Sequence, residues 1–140
     1  MDKKHHRFWN DTIRHFDYTE FSAPEDPESG LLMNHFLIMA LDDFRERLGY
    51  GVHINPNGGF SLKGHSDGSF HYQGEAADFH VDPACPLSPR QVMRELLALG
   101  KFGGVGFYPE WKPVPGFHSD VRLRFQLWVK RGGEYIFIFQ

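Results

Sequence analysis

The stretch SFHYQGEAADFH, Ser69 to His80, constrains the fold of this chain more than any other. It sets His71, Asp78 and His80 among Gly74, Ala76 and Ala77. Read as extended from Gly74 to Val81, it puts Ala76, Asp78 and His80 on one face and Glu75, Ala77 and Phe79 on the other. His71 precedes the strand and can fold back beside Asp78. Gly74 and Ala76 leave room for both segments to close on a metal ion, which a bulky residue there would block.

Imidazole nitrogens and carboxylate oxygens are zinc donors, and a catalytic zinc usually takes three protein ligands and keeps one position open. His118, in GFHSDVR, is the third candidate; on an extended strand it faces the same way as Asp120 and Arg122. His80 is its rival, already on the Asp78 face but separated from it by nearly 7 Å of strand rise. The chain has nine His in 140 residues. Spacing alone therefore leaves a metal site and ordinary hydrogen-bonded residues as equal readings.

Around this stretch the pattern alternates between helix and strand. SAPEDPESG, Ser22 to Gly30, is a loop. In the following segment Leu32, Phe36, Met39, Ala40, Phe44 and Leu48 recur every three or four residues, which predicts a helix ending at Gly49 or Gly51. Asp42, Asp43, Arg45, Glu46 and Arg47 read as its solvated end. GVHIN is a short strand, and PNGGFSLKGHSDG is a long loop. SPRQVMRELLALG is a second helix, with Ser88 as cap, Pro89 in the first turn and Gly100 as stop. GGVGFYP, GFHSDVRLRFQLWVK and EYIFIFQ read as strands, with Phe125, Trp128 and the YIFIF end in the core. Tyr108 and Trp111 suit a cleft wall or a core equally, and Cys85 reads as a small buried residue. The expected class is α+β, with helices on one side of a largely antiparallel sheet. The reading is a single domain over residues 1–140, with 1–15 a loosely packed N-terminal segment.

Composition removes several alternatives. At 41% hydrophobic and 16% aromatic, the chain can build a core. A net charge of -3 argues against a dedicated nucleic-acid partner. One cysteine excludes an internal disulfide framework and any Cys-rich zinc site. No run approaches the roughly 18 apolar residues of a membrane span, so no membrane insertion is expected. MDKKHHRFWNDTIRHF has no apolar core of about 7–15 residues, so the expectation is synthesis in the cytoplasm without a signal peptide.

The same residues resemble a family signature. Ser69-x-His71-x-x-Gly74-x-Ala76-x-Asp78 matches the S-x-H-x-x-G-x-A-x-D motif of the zinc D-alanyl-D-alanine carboxypeptidases and L-alanyl-D-glutamate peptidases. The later GGVGFYP…FHSDVR is similar to that family's second signature. The resemblance runs roughly from Phe16 to Val129. It implies a hedgehog/DD-peptidase-like fold, a Zn2+ cofactor held by His71, Asp78 and His118, and hydrolysis of peptidoglycan stem peptides or cross-links. It also implies action on the cell wall after release, or from a phage particle.

The chain departs from the family twice. Many members carry an acidic base two or three residues before the last zinc histidine; here those positions are Gly116 and Pro115. Glu110 and Asp120 are the catalytic candidates in its stead, with Asp120 also suited to fixing the tautomer of His118. The segment before the first motif, NPNGGFSLKG, lacks the family's carboxylate-binding Arg. Lys63 or Arg122 is the expected substitute, and Ser69 a third substrate-side residue. His65 is a minor candidate for substrate contact. Two further readings stand beside the peptidase: a non-catalytic wall-binding or structural module of the same fold, and a zinc dipeptidase for small peptides.

Overall fold

The structure is a computed structural model, and it describes residues 3–139. Helix α1 spans Lys3–Asp11, α2 His35–Leu48 and α3 Pro89–Leu99. The strands are β1 Val52–Ile54, β2 Ala76–Val81, β3 Gly104–Tyr108, β4 Gly116–Asp120, β5 Gln126–Arg131 and β6 Glu134–Phe139. Short 3-10 turns occupy Tyr18–Phe21, Ser29–Leu32 and Phe70–Gln73. The class is α+β, as the pattern implies.

Local chemistry sets the helix ends. The Asn34 side chain accepts from the Leu37 amide and starts α2, and Gly49 ends it in a left-handed conformation. Ser88 and Gln91 form a capping box at α3, Pro89 occupies the first turn and Gly100 closes the helix. The apolar stripe of α2 differs from the one read in the sequence. Leu37, Ile38, Leu41, Phe44 and Leu48 are buried, whereas Leu32, Phe36 and Met39 are exposed, Phe36 by 78%. At 100° per residue, Phe36 and Met39 lie on the far side of the helix from the Leu37–Leu41–Phe44–Leu48 line. Leu32 falls in the preceding 3-10 turn.

Asp42 is not at a solvated end either. It is buried and accepts from the Arg14 amide and guanidinium and from the His15 amide, at 2.9–3.1 Å. A buried carboxylate needs such donors. They fasten the segment after α1 to α2, and Trp9, Ile13 and Phe16 enter the core. The described part of the N-terminal segment is therefore packed, not loose.

The six strands form one sheet in the order β1-β2-β4-β3-β5-β6. Every pairing is antiparallel except β3 with β5. The segment read as one long strand from Gly116 to Lys130 is two. The Asp120 side chain accepts from the Arg122 amide at 3.1 Å and turns the chain out of β4. The chain re-enters on the far side of β3 as β5.

The sheet has two unlike faces. Ala77, Phe79, Val105 and Phe117 point into the core beneath the helices, with Phe79 and Phe107 rings both against Phe117. Cross-strand pairing places Asp78, His118, Gly106, Trp128 and Phe137 in one row on the opposite face. The YIFIF end, read as core, is the exposed edge of the sheet. Phe125 is half-buried, and Trp128 is buried on the open face against His118.

Candidate metal centre and cleft

His71 is delivered by a turn rather than by a strand. The Ser69 hydroxyl accepts from the His71 amide at 3.2 Å and starts the 3-10 turn. Gly74 ends it at φ +70°. Gly74 serves that left-handed turn and its close approach to the Leu32 carbonyl, where a Cβ would come within 3.0 Å. Clearance for a metal is not its role. The strand then begins at Ala76, with Asp78 on the open face.

Three side chains converge there. His71 Nδ1 lies 3.0 Å from the Gly59 carbonyl, and its Nε2 lies 3.2 Å from Asp78 Oδ2. His118 Nδ1 lies 2.8 Å from Asp78 Oδ1, and its Nε2 lies 2.7 Å from Asp120 Oδ2. All four side chains are buried or nearly so. His80 is not part of this group: its Nδ1 is tied to Asn55 Oδ1 at 2.7 Å, although its ring lines the cleft.

His65 joins from the long loop. It stacks on His71 with centroids 3.9 Å apart, and its backbone is clamped by the Tyr72 hydroxyl. His65, His71 and Asp78 each offer a donor atom within 4.8 Å of the other two, so this cluster could hold a divalent metal ion. The sequence signal for His65 was only its place in the loop before the motif.

The electrostatics are those of a buried chain of opposite charges, Asp78, His118, Asp120 and Arg122. Burial penalises the Asp78 carboxylate, but hydrogen bonds from His118 and His71 outweigh it and hold its pKa well below the ordinary range. Burial likewise opposes charge on His118, yet Asp120 and Asp78 carry its pKa up to about 9. Asp120 is lowered to about 2 against burial by hydrogen bonds from His118 and Arg122. A proton therefore occupies the His118 nitrogen that faces Asp78.

Asp120 is held in place beside His118. It is fully buried, and the Arg122 guanidinium holds it from Nε and Nη2 at 2.6–3.0 Å. Both oxygens of the carboxylate, the catalytic candidate of the sequence, are thus engaged, one by His118 and Arg122 and the other by Arg122. Arg122 itself lines the cleft, but Asp120 and Gln126 engage its nitrogens. Phe70 and Trp128 sandwich its guanidinium at 5.0 and 4.7 Å.

Two other candidates lie elsewhere. Glu110 accepts from the Gly132 amide at 2.7 Å and braces the β5–β6 turn; it borders a side groove, not the histidine cluster. Lys63 is exposed and does not line the cleft; its carbonyl accepts from Asn57 at 2.8 Å. Both sit on loops, whose direction residue spacing does not encode.

The cleft above the cluster has a volume of about 930 Å3, within the range of small-molecule and peptide sites. One wall is polar, from Asn55 to Ser69. The other is aromatic: Tyr108 stacks on Trp111 at 4.1 Å, and its hydroxyl accepts from Trp128 Nε1 at 3.1 Å. Burial pushes the Tyr108 pKa up, so its hydroxyl stays protonated. Trp128 was read as core because its run is apolar; its parity with His118 across β3 puts it on the cleft side.

Gly106 makes this wall possible. A Cβ there would meet Trp128 Nε1 at 2.4 Å. We expect Gly106→Ala to displace Trp128 from beside His118. Near-ultraviolet circular dichroism should change while far-ultraviolet circular dichroism does not, and stability should fall by about 1–3 kcal/mol in a denaturant titration. An unchanged aromatic spectrum would contradict the packing described.

Comparison of this chain with protein-family models, with curated proteins and with solved structures finds no match.

Proposed function

We propose that this chain is a zinc-dependent metallopeptidase acting on peptide bonds of peptidoglycan, with His71, Asp78 and His118 as the metal ligands and a hedgehog/DD-peptidase-like fold. The carrying observation is that two motif segments forty residues apart put two imidazoles on the two oxygens of one carboxylate. Each imidazole has its far nitrogen fixed by a buried acceptor, Gly59 O for His71 and Asp120 for His118. That outer support is what metal-binding histidines need, because it sets tautomer and ring direction. The donor set fits zinc by chemistry: two imidazoles, of which His118 would give up its proton on binding, one carboxylate and a cleft on the remaining side.

When bound, zinc would polarise the scissile carbonyl and lower the pKa of a water. The chain's own groups do the rest. The Tyr108 hydroxyl, held by Trp128, is a donor for charge developing on the carbonyl oxygen. Asp67, on the polar wall, is among the described residues the other carboxylate that lines the cleft besides Asp78, and it is the candidate proton acceptor. The aromatic wall orients the peptide. In this reading the enzyme works on the wall after release or from a phage particle.

The test is incubation of the zinc-loaded protein with purified peptidoglycan, reading new amino groups and the masses of released peptides. Chelator-sensitive release, reduced in Asp67→Asn with metal content unchanged, is the expected result. Stoichiometric zinc with wall binding but no release, across pH and wall types, would replace the proposal with a non-catalytic module. The observation favouring that second reading is that no acid precedes His118 at Pro115 or Gly116. Cleavage of free dipeptides but not of whole sacculi would favour a small-peptide zinc dipeptidase.

A further inference from the structure

The two edges of the sheet are unlike. β1 is three residues long and carries exposed His53, bonded to Asp82 at 3.0 Å. Such an edge is short and polar, as edges usually are. β6 is six residues long and apolar from Tyr135 through Phe139, with each of those side chains 42–62% exposed. Within Glu134–Phe139 there is no Pro, Lys or Arg. Alternation does not rescue it: Tyr135 and Phe137 line the cleft, and Ile136 and Ile138 lie on the other face, also exposed. A continuous apolar run of this kind is the pattern of a strand flanked on both sides.

We propose that β6 pairs antiparallel with β6 of a second copy, giving a two-fold dimer with one continuous twelve-stranded sheet. Identical strands are self-complementary in this arrangement, the usual geometry of a homodimer. It satisfies the free ladder groups of the edge and sets apolar side chains of both faces against their symmetry mates. The charges permit it: Glu134, the charged residue of the strand, lies at one end, so the two copies of it fall at opposite ends of the pair.

The area also suits a dimer. The five exposed side chains present on the order of 100 Å2 each, and Phe125, stacked on Phe139 at 5.6 Å, extends the patch. The two copies together thus offer up to roughly 1,000 Å2 of apolar surface along the seam, the area at which specific interfaces begin.

A two-fold axis that pairs strands antiparallel within one sheet runs perpendicular to that sheet. Both helix layers then lie on one side and both clefts open on the other. On the peptidase reading, two sites facing the same way suit an extended, crosslinked polymer, where a second site engages at high effective concentration. The pairing itself stands apart from that reading.

Light scattering and sedimentation of the zinc-loaded full chain test it, beside an Ile136→Lys/Ile138→Lys variant whose changes lie outside the cleft. Expected is a concentration-dependent dimer of the 16.2 kDa chain, and a monomeric variant with the same circular dichroism and zinc content. Amides of residues 134–139 should exchange faster in the variant. A monomeric wild type at every concentration, a variant that stays dimeric, or open-ended assemblies would each overturn the proposal. Zinc content is read separately, so loss of the metal centre and loss of the dimer give different results.

Discussion

Asp78→Asn is expected to abolish metal binding at the histidine cluster and, on the peptidase reading, peptide hydrolysis with it. Asp78 is the hub: one oxygen meets His71 and the other His118. An amide of the same shape keeps one acceptor but loses the negative charge that a divalent cation needs between two neutral imidazoles. Replacing an outer partner of a metal ligand typically costs about 10–100-fold in affinity, so losing the central anion should cost more than that. The same substitution leaves the metal-free fold with a protonated His118 facing a neutral amide, so some stability is lost too. Zinc competition with a chromophoric chelator, alongside far-ultraviolet circular dichroism, separates the two effects. A folded Asp78→Asn protein that holds zinc as tightly as wild type would remove Asp78 from the centre.

The second large effect is a proton released by metal uptake. In the metal-free protein His118 has its pKa raised to about 9 from the ordinary 6.5, because Asp120 and Asp78 outweigh the penalty of burial. A raised value means that the charged histidine contributes stability in full below about pH 6.5, and that this is lost as pH climbs through about 9. A metal ion held by His118 would replace that proton. Binding at neutral pH should therefore release close to one proton per ion from His118, falling toward none above about pH 9. The melting temperature of the metal-free protein should fall between pH 6.5 and 9, while the zinc-loaded protein holds, so the gap between them widens. Calorimetry in buffers of different ionisation heat reads the proton, and thermal melts across that window read the gap. A gap that narrows with rising pH, or uptake without proton release in wild type, would contradict the His118–Asp78 arrangement.

The legible parts of this molecule were those written in local chemistry. Ser88, Pro89 and Gly100 mark α3 because capping and φ restriction act within a few residues. Residue parity along the strands placed Asp78 and His118 on polar faces, and the structure sets them opposite each other in register. His65, the Trp128 wall and the bracing of Glu110 were not legible. Each depends on where a loop or a neighbouring strand travels, and no residue type states that direction. Half of the expected α2 stripe, Ala40, Phe44 and Leu48, is buried, and Leu32, Phe36 and Met39 are exposed for a related reason. Phe36 and Met39 fit the spacing as well as Leu37 and Leu41 do, and only the angle at which α2 meets the sheet selects between them.

By itself, the chain of residues determined the class, both ends of α3, the stop of α2 and the order of the two motif segments, since these follow from short-range sterics and alternation. Tertiary structure alone decided that β5 crosses to the far side of β3 and that Asp120 is sealed between His118 and Arg122. It also decided that β6 stands at an open edge. Those outcomes depend on long-range packing, where burial competes against the cost of closing loops and many local patterns are equally satisfied.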